Sequence, residues 1–148
     1  MPDITEAMKN QIYPCLWFDG QAREAAEFYC SVFPNSGIVN DSGTVVNFEL
    51  NGQPYMGLNG GDHFKFNESV SFVISCKDQD EIDYYWNKLT ADGGSEGNCG
   101  WCKDKYGLSW QVVPAILGEL MSDTSRRQSV MQAFFKMKKF EIEVLRNV

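Results

Sequence analysis

The stretch that decides the fold is Gly100-Trp-Cys-Lys-Asp-Lys-Tyr-Gly-Leu-Ser-Trp-Gln-Val-Val-Pro114. Turn-forming residues at 104–107 separate two runs of strand-forming residues, so the stretch predicts two short strands joined by a turn. Alternation along the second strand places three side chains on one face, Ser109, Gln111 and Val113. Gln111 brings an uncharged amide to the middle of a strand. Such an amide needs hydrogen-bond partners, and these partners are the functional question.

Composition limits the classes of function. The 148 residues suffice for one domain or for two small repeats, and 43% of them are hydrophobic. The formal net charge of −7 disfavours binding to the phosphates of nucleic acids. No apolar run approaches the roughly 18 residues of a membrane helix. Residues 1–11 are polar and contain no signal-peptide core, so we expect a cytoplasmic protein.

The five cysteines do not predict a disulfide framework, because their number is odd and the chain has the composition of a cytosolic protein. Cys99 and Cys102 form a C-x-x-C pair, which is typical of redox dithiols and of half a zinc site. No second pair completes four zinc ligands, and the pair does not open a helix after a strand. We therefore interpret both cysteines as structural.

Hydrophobic periodicity predicts the order β-α-β-β-β twice. The first unit covers about 12–59, with a strand at 12–18, a helix at 20–33 and strands at 38–40, 44–50 and 55–59. The second unit covers about 69–113, with a strand at 69–76, a helix that begins at the capping box 78–81, a turn at 93–97 and strands near 99–103 and 108–113. Residues 59–67 are interpreted as the link between the units.

Residues 115–148 predict a helical tail, in which 125–137 combine an apolar stripe with several basic side chains. A basic amphipathic helix is also typical of membrane-surface anchors. In an acidic protein we expect it to pack on its own domain or on a partner subunit instead.

Two such units resemble the vicinal oxygen chelate superfamily, which includes glyoxalase I, bleomycin-resistance proteins and extradiol dioxygenases. Within it the chain resembles the PhnB-like family, also called the demethylubiquinone methyltransferase-like family. Eight stretches carry this resemblance: Tyr13-Pro-Cys-Leu-Trp-Phe-Asp19 with Ala25-Ala-Glu-Phe-Tyr29, Asn59-Gly-Gly with Phe64-Lys-Phe66, Cys99-Gly-Trp101 with the block from Asp104 to Pro114, and Val130-Met-Gln-Ala133 with Met137-Lys-Lys139.

The resemblance implies an α+β fold in which the two units form a curved mixed sheet around a cleft, usually in a homodimer. Metal-using relatives take one ligand from each of four strand positions, typically His, Glu, His and Glu. The matching positions here are Tyr13, Met56, Ser71 and Gln111, with Tyr55 or Gly57 as alternatives to Met56 if the register slips. A phenol, a thioether, a hydroxyl and an amide are poor ligands for a divalent cation, so we expect neither a metal nor another cofactor.

What remains is a cleft with aromatic walls and a few polar groups, which suits a small organic ligand. Tyr13 or Trp17 would stack on a planar molecule, and Gln111, Ser71 and Tyr13 would bind its polar edge. The other candidate contacts are Met56, Asn59, His63 and Phe64, of which His63 and Phe64 would form a flap. Equally, these side chains would fill the space between the units and bond to one another.

Catalytic residues cannot be assigned, since the single histidine has no recognisable partner for a Ser-His-Asp set. Three alternatives stay open. The first is a metal-dependent lyase or dioxygenase of glyoxalase type that uses Gln111 and His63. The second is the methyltransferase of the family label, although a Rossmann-type glycine-rich turn is missing. The third is a non-catalytic dimeric interaction module.

Overall fold

The computed structural model describes residues 12–148, so the expectation about a signal peptide at residues 1–11 lies outside the described residues. The chain divides between Lys65 and Phe66 into two compact units. Each unit contains one four-stranded mixed sheet and a long helix. The predicted α+β class with two related units is confirmed.

The sheet of the first unit has the strand order β1-β4-β3-β2. Strand β1 runs parallel to β4, and the other pairs are antiparallel. The elements of this unit are β1 Cys15–Phe18, α1 Ala22–Val32, β2 Gly37–Asp41, β3 Val45–Leu50 and β4 Gln53–Asn59. The first strand is shorter than predicted and begins only after Pro14.

The core of the first unit lies between α1 and one face of this sheet. Helix α1 buries one face, which consists of Ala22, Ala25, Ala26, Tyr29 and Val32. The ring of Tyr29 stacks on Phe48 with 6.3 Å between the ring centroids. A Cβ added at Gly57 would lie 3.2 Å from the Cβ of Ala22, so a glycine allows α1 to approach the sheet closely. The opposite face of the sheet is therefore turned away from the helix, and we call it the open face.

The second unit repeats this plan with the strand order β5-β8-β7-β6. Strand β5 runs parallel to β8, and the other pairs are antiparallel. The elements are β5 Ser71–Cys76, α2 Gln79–Thr90, β6 Ser95–Glu96, β7 Trp101–Lys103 and β8 Ser109–Pro114. Helix α2 buries Ile82, Trp86 and Leu89. The open face of this sheet is again the one turned away from the helix.

Local signals in the sequence account for several boundaries. The carboxylate of Asp78 accepts a hydrogen bond from the amide of Glu81 at 2.9 Å, as the capping box predicts. Asn51 and Gly52 both have positive φ, at 49° and 83°, which matches the predicted hairpin turn. The turn predicted at 93–97 contains a strand that the prediction missed, because Ser95 pairs with Lys103 across the sheet.

The tail forms three short helices, α3 Leu117–Ser122, α4 Arg127–Phe134 and α5 Ile142–Arg146. Between α4 and α5 the chain returns to its own unit, where the amide of Cys99 donates to the carbonyl of Met137 at 2.8 Å. The side chain of Gln79 also binds the tail, donating to the carbonyl of Phe140 at 2.9 Å. The expected packing of the tail on its own domain is confirmed.

Among residues 12–148, no helix combines the length and the apolar character needed to cross a membrane.

Candidate functional site

The open face of the second unit carries the predicted polar pair. Gln111 lies at the centre of β8, and its Nε2 donates to the hydroxyl Oγ of Ser71 on β5 at 2.9 Å. The Cα partner of Gln111 on β5 is Val73, whose side chain is 61% exposed on the same face. The structure thus brings Ser71 and Gln111 together beside an exposed apolar side chain. The amide of Gln111 keeps its acceptor oxygen for a further partner.

A pocket of about 220 Å³ opens on the same unit, beside the β6–β7 hairpin. Its wall includes Trp101 and Lys103 of β7, which pair across the sheet with Gln111 and Ser109. The ammonium of Lys103 forms an ion pair with Glu68, which also lines the pocket. Ser109 lines the pocket with a fully buried hydroxyl that has no hydrogen-bond partner within the described residues.

The open face of the first unit carries Met56 in a row across three strands. Met56 pairs with Cys15 on β1 and with Asn47 on β3. Tyr55 and Gly57 face α1 instead, so the register places Met56 on the open face. The Nδ2 of Asn47 donates to Asn40 at 2.8 Å, while its Oδ1 is buried without a partner in the described chain.

Trp17 and Phe64 form an aromatic cluster at the edge of the first unit. Their rings meet edge to face with 4.8 Å between centroids, and the indole Nε1 of Trp17 donates to the carbonyl of Gly61 at 2.9 Å. Phe64 remains 64% exposed. His63 is exposed, with its ring centroid 6.4 Å from that of Phe64. Tyr13 is half-buried and precedes the first residue of β1.

Asn59 has a role in the architecture of the first unit. Its Oδ1 accepts a hydrogen bond from the amide of Ala22 at the start of α1, at 2.9 Å. Its Nδ2 donates to the carbonyl of Gly43, also at 2.9 Å. Both ends of this side-chain amide are therefore engaged within the unit.

The turn before β8 is built on Asp104, which is 2% exposed. Its carboxylate accepts hydrogen bonds from the amides of Tyr106 and Leu108 and from the indole Nε1 of Trp110, at 2.8, 3.1 and 2.8 Å. The prediction that Asp104 serves the turn is confirmed. This carboxylate fixes the start of β8 and, through it, the position of Gln111.

The two cysteines of the C-x-x-C pair differ in burial, because Cys102 is buried and Cys99 is only partly buried. Burial, with smaller contributions from Asp104 and Glu96, raises the pKa of Cys102 to about 12. Cys99 has a positive φ of 57° and is half-buried. All five cysteines are free thiols. A reactive redox thiol needs a lowered pKa, so the environment of Cys102 favours the structural interpretation.

Both the sequence and the fold are similar to those of known proteins. A family model described as 3-demethylubiquinone-9 3-methyltransferase matches residues 10–113. The chain belongs to this family. A PhnB protein from Bacillus cereus that carries the same methyltransferase label is 32% identical, with a TM-score of 0.65. That alignment covers 72% of this chain and 100% of the other.

Two more distant structures share the fold. The fosfomycin resistance protein FosX from Listeria monocytogenes, in complex with Mn(II) and sulfate, is 14% identical with a TM-score of 0.59, over 77% of this chain and 96% of that one. A glyoxalase-related enzyme from Fulvimarina pelagi is 14% identical with a TM-score of 0.53, over 71% and 88%. This member of the PhnB-like family therefore has the vicinal oxygen chelate fold. No curated protein sequence matches the chain.

The metal of the superfamily does not fit the residues of this PhnB-like protein. Gln111 and Ser71 are hydrogen-bonded to each other, and the remaining donors at the matching positions are the thioether of Met56 and the phenol of Tyr13. None of the four is a carboxylate or an imidazole, and hard divalent cations prefer carboxylate oxygens. Within residues 12–148, no group of three or more His, Cys, Asp or Glu side chains is placed to hold a metal ion.

The methyl donor that the family name implies also finds no familiar binding motif. A Rossmann-type site uses a glycine-rich turn whose amides stay free at a helix N-terminus. Here β1 leads into α1 through residues 19–21, and the first amide of the helix, on Ala22, is bonded to Asn59. One amide at the N-terminus of α1 is therefore already bonded to a side chain of the same unit.

Several residues of the open faces and of the pocket were missed from the sequence. They are Asn47, Trp101 and Lys103 on the open faces and Glu68 in the pocket, and Ser109 was placed on the correct face without a role. Extending the alternation from 108–113 into the preceding strand would have found Trp101 and Lys103, since they pair with Gln111 and Ser109. Glu68 lies in an irregular segment, and no pattern in the sequence marks it.

Proposed function

We propose that this protein binds small organic molecules on the open face of each sheet, without a metal ion, and that Gln111 is the main polar contact on the second unit. The hydrogen bond between Gln111 and Ser71 carries this proposal. It fixes the amide of Gln111 in one orientation, so that the second N–H of Nε2 is available to an acceptor on the ligand, such as a quinone oxygen, and the amide oxygen to a donor. The exposed side chain of Val73 provides apolar surface directly beside it.

The aromatic cluster of the first unit supports a planar ligand. Trp17 is held in place by its hydrogen bond to Gly61, and Phe64 remains largely exposed beside it. Because one ring of this pair is fixed and the other is exposed, the pair is suited to stacking on a planar ligand. In this proposal Tyr13, Met56 and His63 contribute further contacts, and Asn59 positions the segment that carries Phe64.

The proposal is tested with the quinone head group 2,3-dimethoxy-5-methyl-1,4-benzoquinone, chosen because the family is named for a quinone substrate. We expect it to raise the melting temperature and to bind about 2- to 10-fold more weakly to Gln111→Ala, as for loss of one hydrogen bond. Gln132→Ala, which changes an exposed glutamine of α4, is the control. Equal affinity in both variants would contradict the assignment of Gln111.

A second candidate function is methyl transfer to a phenolic oxygen, and the family description together with the Bacillus cereus relative favours it. In this reaction the methyl group leaves the sulfonium of S-adenosylmethionine for the phenol oxygen, and the phenol proton passes to a base or to solvent. Isothermal titration with S-adenosylmethionine tests this function directly. Binding with a stoichiometry of one per chain would favour it over simple ligand binding.

We also propose a homodimer in the cytoplasm. The apolar side chain of Val70, which precedes β5, is 61% exposed and is suited to burial against a partner. Five free thiols fit a reducing compartment. Light scattering coupled to gel filtration should give twice the chain mass of 16.8 kDa, and the mass of one chain would contradict the dimer.

A further inference from the structure

The pocket beside the β6–β7 hairpin has its own chemistry. Its volume of about 220 Å³ is below the roughly 300–1,000 Å³ of pockets for drug-sized ligands. It therefore suits one ring or a short chain, either as a whole ligand or as one end of a larger molecule. Neither Gln111 nor Ser71 lines it.

The hydroxyl of Ser109 is the first sign that the pocket has an occupant. Ser109 is fully buried, and no partner for its Oγ exists among residues 12–148. A buried hydroxyl without a hydrogen bond costs stability, so native structures rarely keep one unless something else binds it. A ligand group in the pocket would supply the missing bond.

The charged side chains around the pocket indicate whether the ligand group is an anion or a cation. Two carboxylates, Glu68 and Glu96, line it against the single ammonium of Lys103. Lys103 is already paired with Glu68, and the indole Nε1 of Trp86 orients Glu96 through a 2.7 Å hydrogen bond. The balance of charge is negative, so an anionic ligand would be repelled and a cation attracted.

Trp101 adds an aromatic side chain to the lining of the pocket. It lies on the same face of β7 as Lys103 and lines the pocket together with the two carboxylates. An indole face attracts organic cations through its quadrupole, most strongly when water is partly excluded. Carboxylates, an aromatic ring and a hydroxyl acceptor are the groups that recognise an ammonium.

We propose that this pocket binds the ammonium group of a small organic amine, with Glu68 and Glu96 providing the charge, Trp101 the ring contact and Ser109 a hydrogen-bond acceptor. This inference goes beyond the proposed function, because the pocket is a separate part of the second unit that neither Gln111 nor Ser71 lines. Lys103 then acts as a competitor, which holds Glu68 until the ligand's ammonium replaces it.

The first experiment compares three probes of similar shape on the full chain at pH 7. Benzylamine is cationic, benzyl alcohol is neutral and benzoate is anionic. We expect benzylamine to bind at least about 10-fold more tightly than either of the others, since one ion pair and one cation–π contact distinguish it. Equal binding of the three, or a preference for benzoate, would overturn the proposal.

Two variants, each of which removes one charge, should change the affinity for benzylamine in opposite directions. Glu68→Gln should weaken benzylamine about 3- to 5-fold, whereas Lys103→Gln should strengthen it by a similar factor because the competitor is removed. Lys105→Gln is the control, since it removes the same charge from an exposed neighbour that does not line the pocket. Weaker binding of benzylamine to Lys103→Gln would overturn the assigned charge preference.

Ser109→Ala provides a test that does not depend on charge. Without ligand the variant should melt at a higher temperature than the natural protein, because a buried unpaired hydroxyl is removed. With benzylamine it should bind about 3- to 10-fold more weakly. Ser75→Ala on the same open face is the control and should change neither quantity. Unchanged affinity of Ser109→Ala would contradict the hydroxyl contact.

Gln111→Ala separates this inference from the proposed function. If benzylamine requires Glu68 and Ser109 while the quinone head group ignores Gln111, the amine pocket stands and the proposed role of Gln111 fails. If the quinone requires Gln111 and no amine binds, the proposed function stands and the amine pocket is excluded.

Discussion

At the scale of single residues, the ring of Trp17 leaves space only for a glycine at position 60. A Cβ at Gly60 would overlap the six-membered ring of Trp17. The backbone of Gly60 has no positive φ, so the constraint comes from space and not from conformation. The indole is trapped between this glycine and its hydrogen bond to Gly61. Trp17 is therefore presented to Phe64 in one position.

Gly60→Ala should displace the ring of Trp17 and lower the free energy of unfolding by about 1–3 kcal/mol, as overpacking does. Urea denaturation and the intrinsic tryptophan fluorescence of the folded protein measure the two effects. The matched control is Gly118→Ala in α3, where an added Cβ meets nothing within 4 Å. There we expect a gain of about 0.5–1 kcal/mol. Equal effects at both positions would refute the steric explanation.

Two buried thiols give a pH dependence whose sign follows from their environment. Burial raises the pKa of both Cys76 and Cys102 from 9.0 to about 12 in the folded protein. The unfolded chain loses these protons near pH 9 and the folded chain does not. Their contribution to stability is therefore complete below pH 9 and is lost as the pH rises from 9 through about 12.

At pH 8 we expect the exposed thiol of Cys15 to react with Ellman's reagent in the folded protein, and Cys76 and Cys102 to react only after unfolding. Mass spectrometry of the labelled peptides assigns each thiol. The variant Cys15→Ser is the control and should remove the fast phase. A rapid reaction of Cys102, or a disulfide between Cys99 and Cys102, would show that the pair is a redox site.

At the scale of elements, Asn59 joins the end of one strand to the start of a helix. It is the last residue of β4, and its side-chain amide caps the first turn of α1 while it binds the carbonyl of Gly43. The helix has no cap from its own preceding residue, Gln21. Asn59, which is distant in the sequence, thus caps this helix in the way that a preceding Ser, Thr, Asp or Asn caps most helices.

Asn59→Ala should therefore lower the free energy of unfolding by about 1–2 kcal/mol, the cost of losing a helix cap. Asn59→Asp keeps the acceptor for the amide of Ala22 and loses only the donor to Gly43, so it should cost less. Guanidinium denaturation followed by circular dichroism compares the two variants. A larger loss for aspartate than for alanine would show that the bond to Gly43 dominates.

At the scale of the whole molecule, one fold serves proteins with different donor sets. FosX shares this fold and was crystallised with Mn(II), yet the matching positions here offer Tyr13, Met56, Ser71 and Gln111. Fold similarity at 14% identity therefore carries no conclusion about a metal in this chain. The residues themselves decide, and their chemistry disfavours a divalent cation.

Protein purified without chelator should contain well under one equivalent of Mn, Fe, Ni or Zn per chain, and EDTA should leave its melting temperature unchanged. Elemental analysis and differential scanning fluorimetry measure both. Gln111→Ala is run beside the natural protein. A stoichiometric metal that disappears in this variant would restore a glyoxalase-type mechanism.

The sequence by itself determined the order of elements and the face on which most side chains lie. Period-2 and period-3.6 patterns are local, and they placed Gln111 with Ser109 and Val113 on one face. The choice of Met56 came from the family resemblance, which left Tyr55 and Gly57 as alternatives, and strand pairing decided among the three. Turn and cap residues such as Asp78 and Asn51 also act within a few positions of the chain. The family resemblance rested on the same local motifs.

Only the tertiary structure decided which of these residues meet. The bond from Gln111 to Ser71 spans 40 positions and the cap from Asn59 to Ala22 spans 37. The pairing of Glu68 with Lys103, the short strand β6 and the unpaired hydroxyl of Ser109 also depend on contacts across the sheet. A local pattern fixes the direction of a side chain, but its partner is fixed by strand pairing and by the packing of helix on sheet.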